Sequence, residues 1–264
     1  MSILDDGGLE GPPPREAGEN AGTLMGIALA GMLTYWIVVP AVYQILAGKA
    51  FAPASQPATQ AIESISPHDL LVLSIASPIV GFIVLVVGNL LWRKNAFERL
   101  GFTLPRLRED GWKAGIAVII ILPMMFGVVD LTGRLWDRLH FSHPNEHELL
   151  HILGGESNAG VRAAIVFSAI VLAPLFEELF FRGMLQSACE KMLDRTPGPV
   201  QRWAAIVAAS MAFTAVHEPW MMPPIFFLSI CLGYAYDRTK NLWVPMIVHA
   251  SFNAVSVAMF LFLR

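Results

Sequence analysis

Charge is scarce in this 264-residue chain: Asp, Glu, Lys and Arg together make up only 15%, against about 25% in an average soluble domain. Cationic excess is absent, with 18 Lys and Arg against 21 Asp and Glu. Nothing is available to neutralise a phosphate backbone, so nucleic acid is excluded as a partner. Cysteine is nearly missing. Cys189 and Cys231 each stand alone in an apolar stretch, without a second ligand at metal spacing, and read as buried thiols. The first 22 residues, rich in acids, Pro and Gly, lack both a basic n-region and an apolar h-region. They predict no cleavable signal peptide but a disordered cytoplasmic leader over residues 1–22. Internal repeats, heptads and Gly-rich phosphate loops are also missing, which argues against a transporter built from two matching halves.

What the chain does have is apolar length. Hydrophobic residues make up 55% and mean hydropathy is +0.56, and several runs approach the roughly 20 residues that a helix needs to cross a bilayer. The fold class expected is an all-α polytopic membrane protein with about seven transmembrane helices, six to eight. The spans are read at 23–46, 69–92, 114–131, 161–193, 203–217, 223–236 and 242–263, with a polar linker over 47–68 and a polar loop over 134–160. Pro40 is expected to kink the first span, and Trp36, Trp92, Trp203, Trp220 and Trp243 read as interfacial anchors. Arg93, Lys94, Arg99, Arg106, Arg108 and Lys113 form the densest cationic stretch, and Arg195, Arg202, Arg238 and Lys240 mark further span ends. By the positive-inside rule these ends are cytoplasmic, which places the N-terminus inside and the protein in the cytoplasmic membrane. Residues 1–22 are then the leader, 23–160 the N-terminal spans and loops, and 161–264 a set of catalytic membrane helices.

Ionisable residues inside apolar runs cost at least ~2.5–3.5 kcal/mol each to insert and therefore call for a function. Three runs carry them: Glu177, Glu178 and Arg182 in the fourth, His217 in the fifth with Phe213 one turn before it, and His249 in the last with Asn253 one turn after it. Residues four apart share a helix face, so Glu178 and Arg182 are expected to pair and to leave Glu177 turned toward another helix. His249 and Asn253 share a face likewise, and the Phe213 ring stands one turn from His217, where it can fix the imidazole plane. Counting ~1.5 Å per residue from Lys191, Arg202 and Lys240 puts Glu177, His217 and His249 roughly 21, 22 and 13 Å deep, inside one slab about 10 Å thick.

A carboxylate, two imidazoles and an amide at one depth suit hydrolysis of an amide bond. Glu177 would take the proton of a water molecule with His217 as orienter, Glu178 and Arg182 would give electrostatic support, and His249 with Asn253 would hold the oxyanion. The same Glu177, His217 and His249 can instead hold a divalent metal such as zinc, with its bound water as nucleophile. The residues leave both open, and the metal-free route needs no cofactor. A competing pattern, His147-Glu148-x-x-His151, has the spacing of two zinc ligands and a base on a helix, but it falls in the polar loop after Pro144.

Glu177-Glu178-x-x-x-Arg182, Phe213-x-x-x-His217 and His249-x-x-x-Asn253, in this order on successive helices, resemble the CAAX prenyl endopeptidase type II and bacteriocin-processing (CPBP, also Abi) family of intramembrane proteases. The segment from Phe227 to Trp243, with Gly233 and Arg238-Thr-Lys-Asn-Leu-Trp, is similar to the linker into that family's last motif. The resemblance covers about Val161 to Ala254, and Ser229 stands where members often carry the first Gly of a Gly-x-x-x-Gly pair. It implies an intramembrane endopeptidase, often labelled a metalloendopeptidase. The substrate would be a peptide or protein reaching the site from the bilayer or the cytoplasmic face, a prenylated Cys-a-a-X protein in the eukaryotic branch. The alternative on the same fold is a non-catalytic scaffold or immunity-type protein.

Overall fold

Asn20 and Asn158 each stand just ahead of an apolar run and satisfy the open N–H groups of a helix start. Asn20 Oδ1 accepts from the Gly22 N–H at 2.9 Å, and Asn158 Oδ1 from the Gly160 and Val161 N–H groups at 2.9 and 3.2 Å. In the computed structural model, which describes residues 20–48, 67–141, 148–156, 158–193 and 198–262, every regular element among the described residues is helical. In chain order these are α1 (Ala21–Leu46), α2 (Pro67–Trp92), α3 (Leu104–Arg138), α4 (Glu148–Gly155), α5 (Ala159–Met192), α6 (Gly198–Ala215), α7 (Met222–Thr239) and α8 (Trp243–Phe262). The first helix thus starts two residues inside the stretch read as a leader; residues 1–19 of that leader and most of the 47–68 linker lie outside the described residues.

Five helical stretches are long and apolar enough to cross a membrane: α1, α2, α3 with the helical turn Ala96–Arg99 before it, α5 and α8. The chain is an all-α polytopic membrane protein. Two of the seven expected spans, α6 and α7, are not among the five. They have 18 residues each, about 27 Å by helical rise, and they carry Gln201, Arg202 and Asp237 near one end. The third span is longer than expected, because its charged flanks stay helical through local pairs: Lys113 Nζ with Asp110 at 2.5 Å and Arg134 Nε with Asp130 at 2.9 Å. Large apolar side chains point outward, Leu91 68% and Ile119 74% exposed among them, as a lipid-facing surface requires.

Proline shapes two of the spans. Pro40 and Pro174 have no N–H to donate, and each follows a wider π-helical turn, Thr34–Val38 and Ser168–Leu172. Here the Val39 N–H reaches the Thr34 carbonyl and the Ala173 N–H the Ser168 carbonyl. The helix continues through each proline.

α5 lies at the centre, packed by α1, α2, α6 and α8. Leu179, Phe180, Phe181, Arg182, Gly183 and Met184 are all buried, so this stretch is enclosed all round rather than on one stripe. Glycine permits the closest approaches: a Cβ on Gly81 of α2 would stand 2.7 Å from Phe176 Cε2 of α5. At one end of the bundle the cationic segments gather. Buried Asn241 donates to the Arg106 carbonyl at 2.8 Å and to Asp110 at 3.0 Å, the Leu242 N–H reaches the Leu100 carbonyl at 3.0 Å, and Arg202 pairs with Asp237 at 3.2 Å. The basic stretch before α3 and the α7–α8 turn therefore share one side of the bundle.

Candidate active site

Glu178 and Arg182 sit one turn apart on α5 and are sealed, with side chains 0% and 1% exposed. Arg182 Nε meets Glu178 Oε2 at 3.1 Å, the pair expected from the spacing. The guanidinium is held further by α7, where Nη2 donates to the Ser229 hydroxyl at 2.9 Å and to its carbonyl at 3.2 Å. Its carbon lies 4.8 Å from the centre of the Phe213 ring of α6. One turn on, Gln186 Nε2 donates to the Gly233 carbonyl at 3.1 Å. Ser229 thus does more than pass as a small residue at a helix crossing: its hydroxyl is an acceptor for a buried cation.

His249 of α8 joins the two glutamates. Its Nδ1 is 2.8 Å from Glu178 Oε1 and its Nε2 3.7 Å from Glu177 Oε2. An ionised carboxylate only accepts, so Nδ1 carries the proton and Glu178 fixes ring and tautomer. The Nε2 contact is longer than a hydrogen bond but well within the range of charge. Exposure separates the two acids. Glu177 is 17% exposed where Glu178 is 0%, so Glu177 is the carboxylate that is partly open.

His217 lies just past the end of α6. Its Nδ1 donates to the Phe213 carbonyl at 2.6 Å, and its ring stands 4.5 Å from the Phe213 ring. Since a carbonyl only accepts, Nδ1 again holds the proton and Nε2 offers a lone pair. Phe213, buried, is shared, for the His249 ring meets it edge-on at 5.9 Å. No hydrogen bond or ion pair among the described residues joins His217 to Glu177 directly; the two histidines approach through the phenyl ring. Asn253 Nδ2 donates to the Ala169 carbonyl at 2.8 Å, which ties α8 to the π-helical turn before Pro174.

The structure thus brings Glu177, Glu178, Arg182 and His249 into direct contact, sets His217 one ring away, and anchors Asn253 one turn beyond His249. As a metal site the expected trio is not assembled: among the described residues no three His, Cys, Asp or Glu side chains come together as ligands. His147 of the competing pattern lies outside the described residues, as do the side chains of Glu148 and His151.

Residues 159–255 match the family described as Type II CAAX prenyl endopeptidase Rce1-like. The matched stretch runs from the start of α5 to two residues past Asn253 and holds all six candidate residues. The match supports the resemblance carried by the three motifs, and over α5 to α8 the chain is similar to a CAAX-type intramembrane protease. The match lends no support to bacteriocin processing or to a metal-dependent activity. No curated protein and no solved structure matches the chain.

Sequence reasoning missed two neighbours of this site. Ser229 was legible only as a small residue. Tyr35, whose ring stacks on Phe176 at 4.6 Å, lies in an apolar run full of aromatics and outside the matched stretch, where spacing alone marks nothing. Trp36 beside it is no interfacial anchor, because it sits mid-helix against Phe176 and Phe180.

Proposed function

We propose that the protein is an intramembrane endopeptidase in which Glu177 activates water against a peptide bond of a membrane-associated substrate. The observation that supports this best is the contrast between the two glutamates: Glu178 is sealed and committed to Arg182 and His249, while Glu177 is partly open and faces His249 Nε2. A carboxylate kept beside a buried imidazole, in an apolar helix, is placed to take and return a proton.

In the reaction Glu177 accepts a proton from water as the oxygen attacks the scissile carbonyl carbon. The carbonyl oxygen becomes an oxyanion, and the C–N bond breaks as Glu177 returns the proton to the leaving nitrogen. The free N–H of Asn253 stabilises the oxyanion, joined by His249 in the form that carries a proton on Nε2 as well as the Nδ1 proton held by Glu178; His217, held by the Phe213 carbonyl, orients the substrate or water through Nε2. Every step uses this chain's own residues and requires no cofactor. The substrate reaches Glu177 from the bilayer or the cytoplasmic face, and a Cys-a-a-X end, prenylated or not, is the first class to test. The clustering of Arg106, Arg202, Arg238 and Lys240 at one end supports an N-terminus inside a cytoplasmic membrane.

The test is product analysis with the protein in lipid vesicles. Farnesylated and unmodified Cys-a-a-X peptides are supplied, and the fragments are identified by mass spectrometry. Release of a C-terminal tripeptide by wild type and by Glu148→Ala, in equal measure, is the expected result. Loss of cleavage in Glu148→Ala would move the chemistry to the His147 loop, and no cleavage by any variant would favour a scaffold.

A further inference from the structure

α1 lies outside the matched stretch, yet it carries one polar group to the candidate site. Tyr35 of α1 stacks on Phe176 of α5 with ring centres 4.6 Å apart and planes 13° apart. Phe176 continues into Phe180 at 5.9 Å, and the Trp36 ring lies tilted against the tyrosine at 4.6 Å. Phe176 immediately precedes Glu177, so the stack carries the tyrosine ring to the turn of α5 that holds the base. The ring is packed against the core.

Its hydroxyl has no hydrogen-bond partner among the described residues. Polar groups inside a membrane bundle ordinarily find one, and a tyrosine O–H at a packed position usually does. The hydroxyl is also not sealed, unlike Arg182 Nη1 and Gln186 Oε1, which are buried without a partner. A phenol that is packed along its ring, open at its oxygen and stacked on the residue that precedes Glu177 has its donor left for something that comes and goes. Asn253 meanwhile spends one amide N–H on Ala169, so the oxyanion has room for a second donor. A phenol ordinarily keeps its proton to about pH 10, and it can donate throughout the working range.

We propose that Tyr35 donates a hydrogen bond to the scissile carbonyl oxygen as it becomes the oxyanion, which makes the first helix part of the active site. This rests on the hydrolytic role of Glu177. Tyr35 then forms no covalent bond and loses no proton. It stabilises negative charge that exists only in the transition state, so it acts on kcat rather than on substrate binding.

Tyr35→Phe keeps the ring, its stack and its packing and removes one oxygen. In vesicles, beside wild type and Glu177→Gln, this variant is expected to lose about 10²- to 10³-fold in kcat, the usual cost of one oxyanion donor. KM, the acid limb of the pH–rate profile and the thermal unfolding midpoint are expected to stay unchanged. A kcat within about threefold of wild type, with Glu177→Gln inactive, would overturn the role of Tyr35 and leave the function standing. A loss of rate that mends at high pH, with the acid limb moved upward, would overturn it too, since Tyr35 would then merely hold Glu177 ionised. Wild-type turnover by Glu177→Gln would overturn both.

Discussion

Arg182 shows how one buried charge organises several residues. It neutralises Glu178, accepts the Phe213 face and ties α5 to α7 through Ser229. Removing it leaves Glu178 buried without a cation, a situation that costs about 3–5 kcal/mol. Arg182→Met is therefore expected to lower unfolding stability in detergent by about that amount, visible as a large drop in the thermal midpoint; an unchanged midpoint would show that Glu178 is neutral in the folded protein. These residues were legible in the sequence because a charge in an apolar run stands out, and four-residue spacing fixed the Glu178–Arg182 pair and turned Glu177 away. The part His249 plays between the two glutamates was not legible, since it depends on how α8 crosses α5. Tyr35 was invisible for the opposite reason: an aromatic in an apolar helix carries no contrast.

Helices bring these side chains together by close approach at small residues. Gly81 of α2 lies against the Phe176 ring, and Phe176 in turn supports Tyr35 on one face and precedes Glu177. The ring is wedged between other aromatics and cannot swing aside cheaply. Gly81→Val is expected to cost about 1–3 kcal/mol by overpacking and to reduce turnover together with stability. Gly26→Ala in α1, where a Cβ meets nothing within 4 Å, is the control and should lower neither, since Ala is the better helix former. A Gly81→Val protein of wild-type stability would contradict the packing described. Most span ends fell within a few residues of those read from the sequence, since apolar length and charged flanks set them. The exception, α3, is long because ion pairs along its flanks keep helix past the apolar run, a local effect that hydropathy does not register.

Across the whole molecule the two halves divide the work. The matched stretch from α5 to α8 supplies the glutamates, histidines and asparagine, while α1 and α2 enclose the Phe176 side of α5 and bring Tyr35 to it. The cationic turns, knotted by Asn241 at one end, hold α3, α7 and α8 in register. The number of apolar runs and their order announced this architecture; which helix becomes the enclosed one did not follow from composition, because α5 differs from its neighbours mainly in carrying the charges that others must cover. The proposed chemistry turns on a single carboxylate, and its direct test is the turnover of Glu177→Gln in vesicles on a peptide that wild type cleaves. Gln keeps the size of the side chain and cannot take a proton. The expected result is a fall in kcat of about 10²- to 10⁴-fold, the usual contribution of a general base, with an unchanged unfolding midpoint. Turnover at the wild-type rate would contradict it.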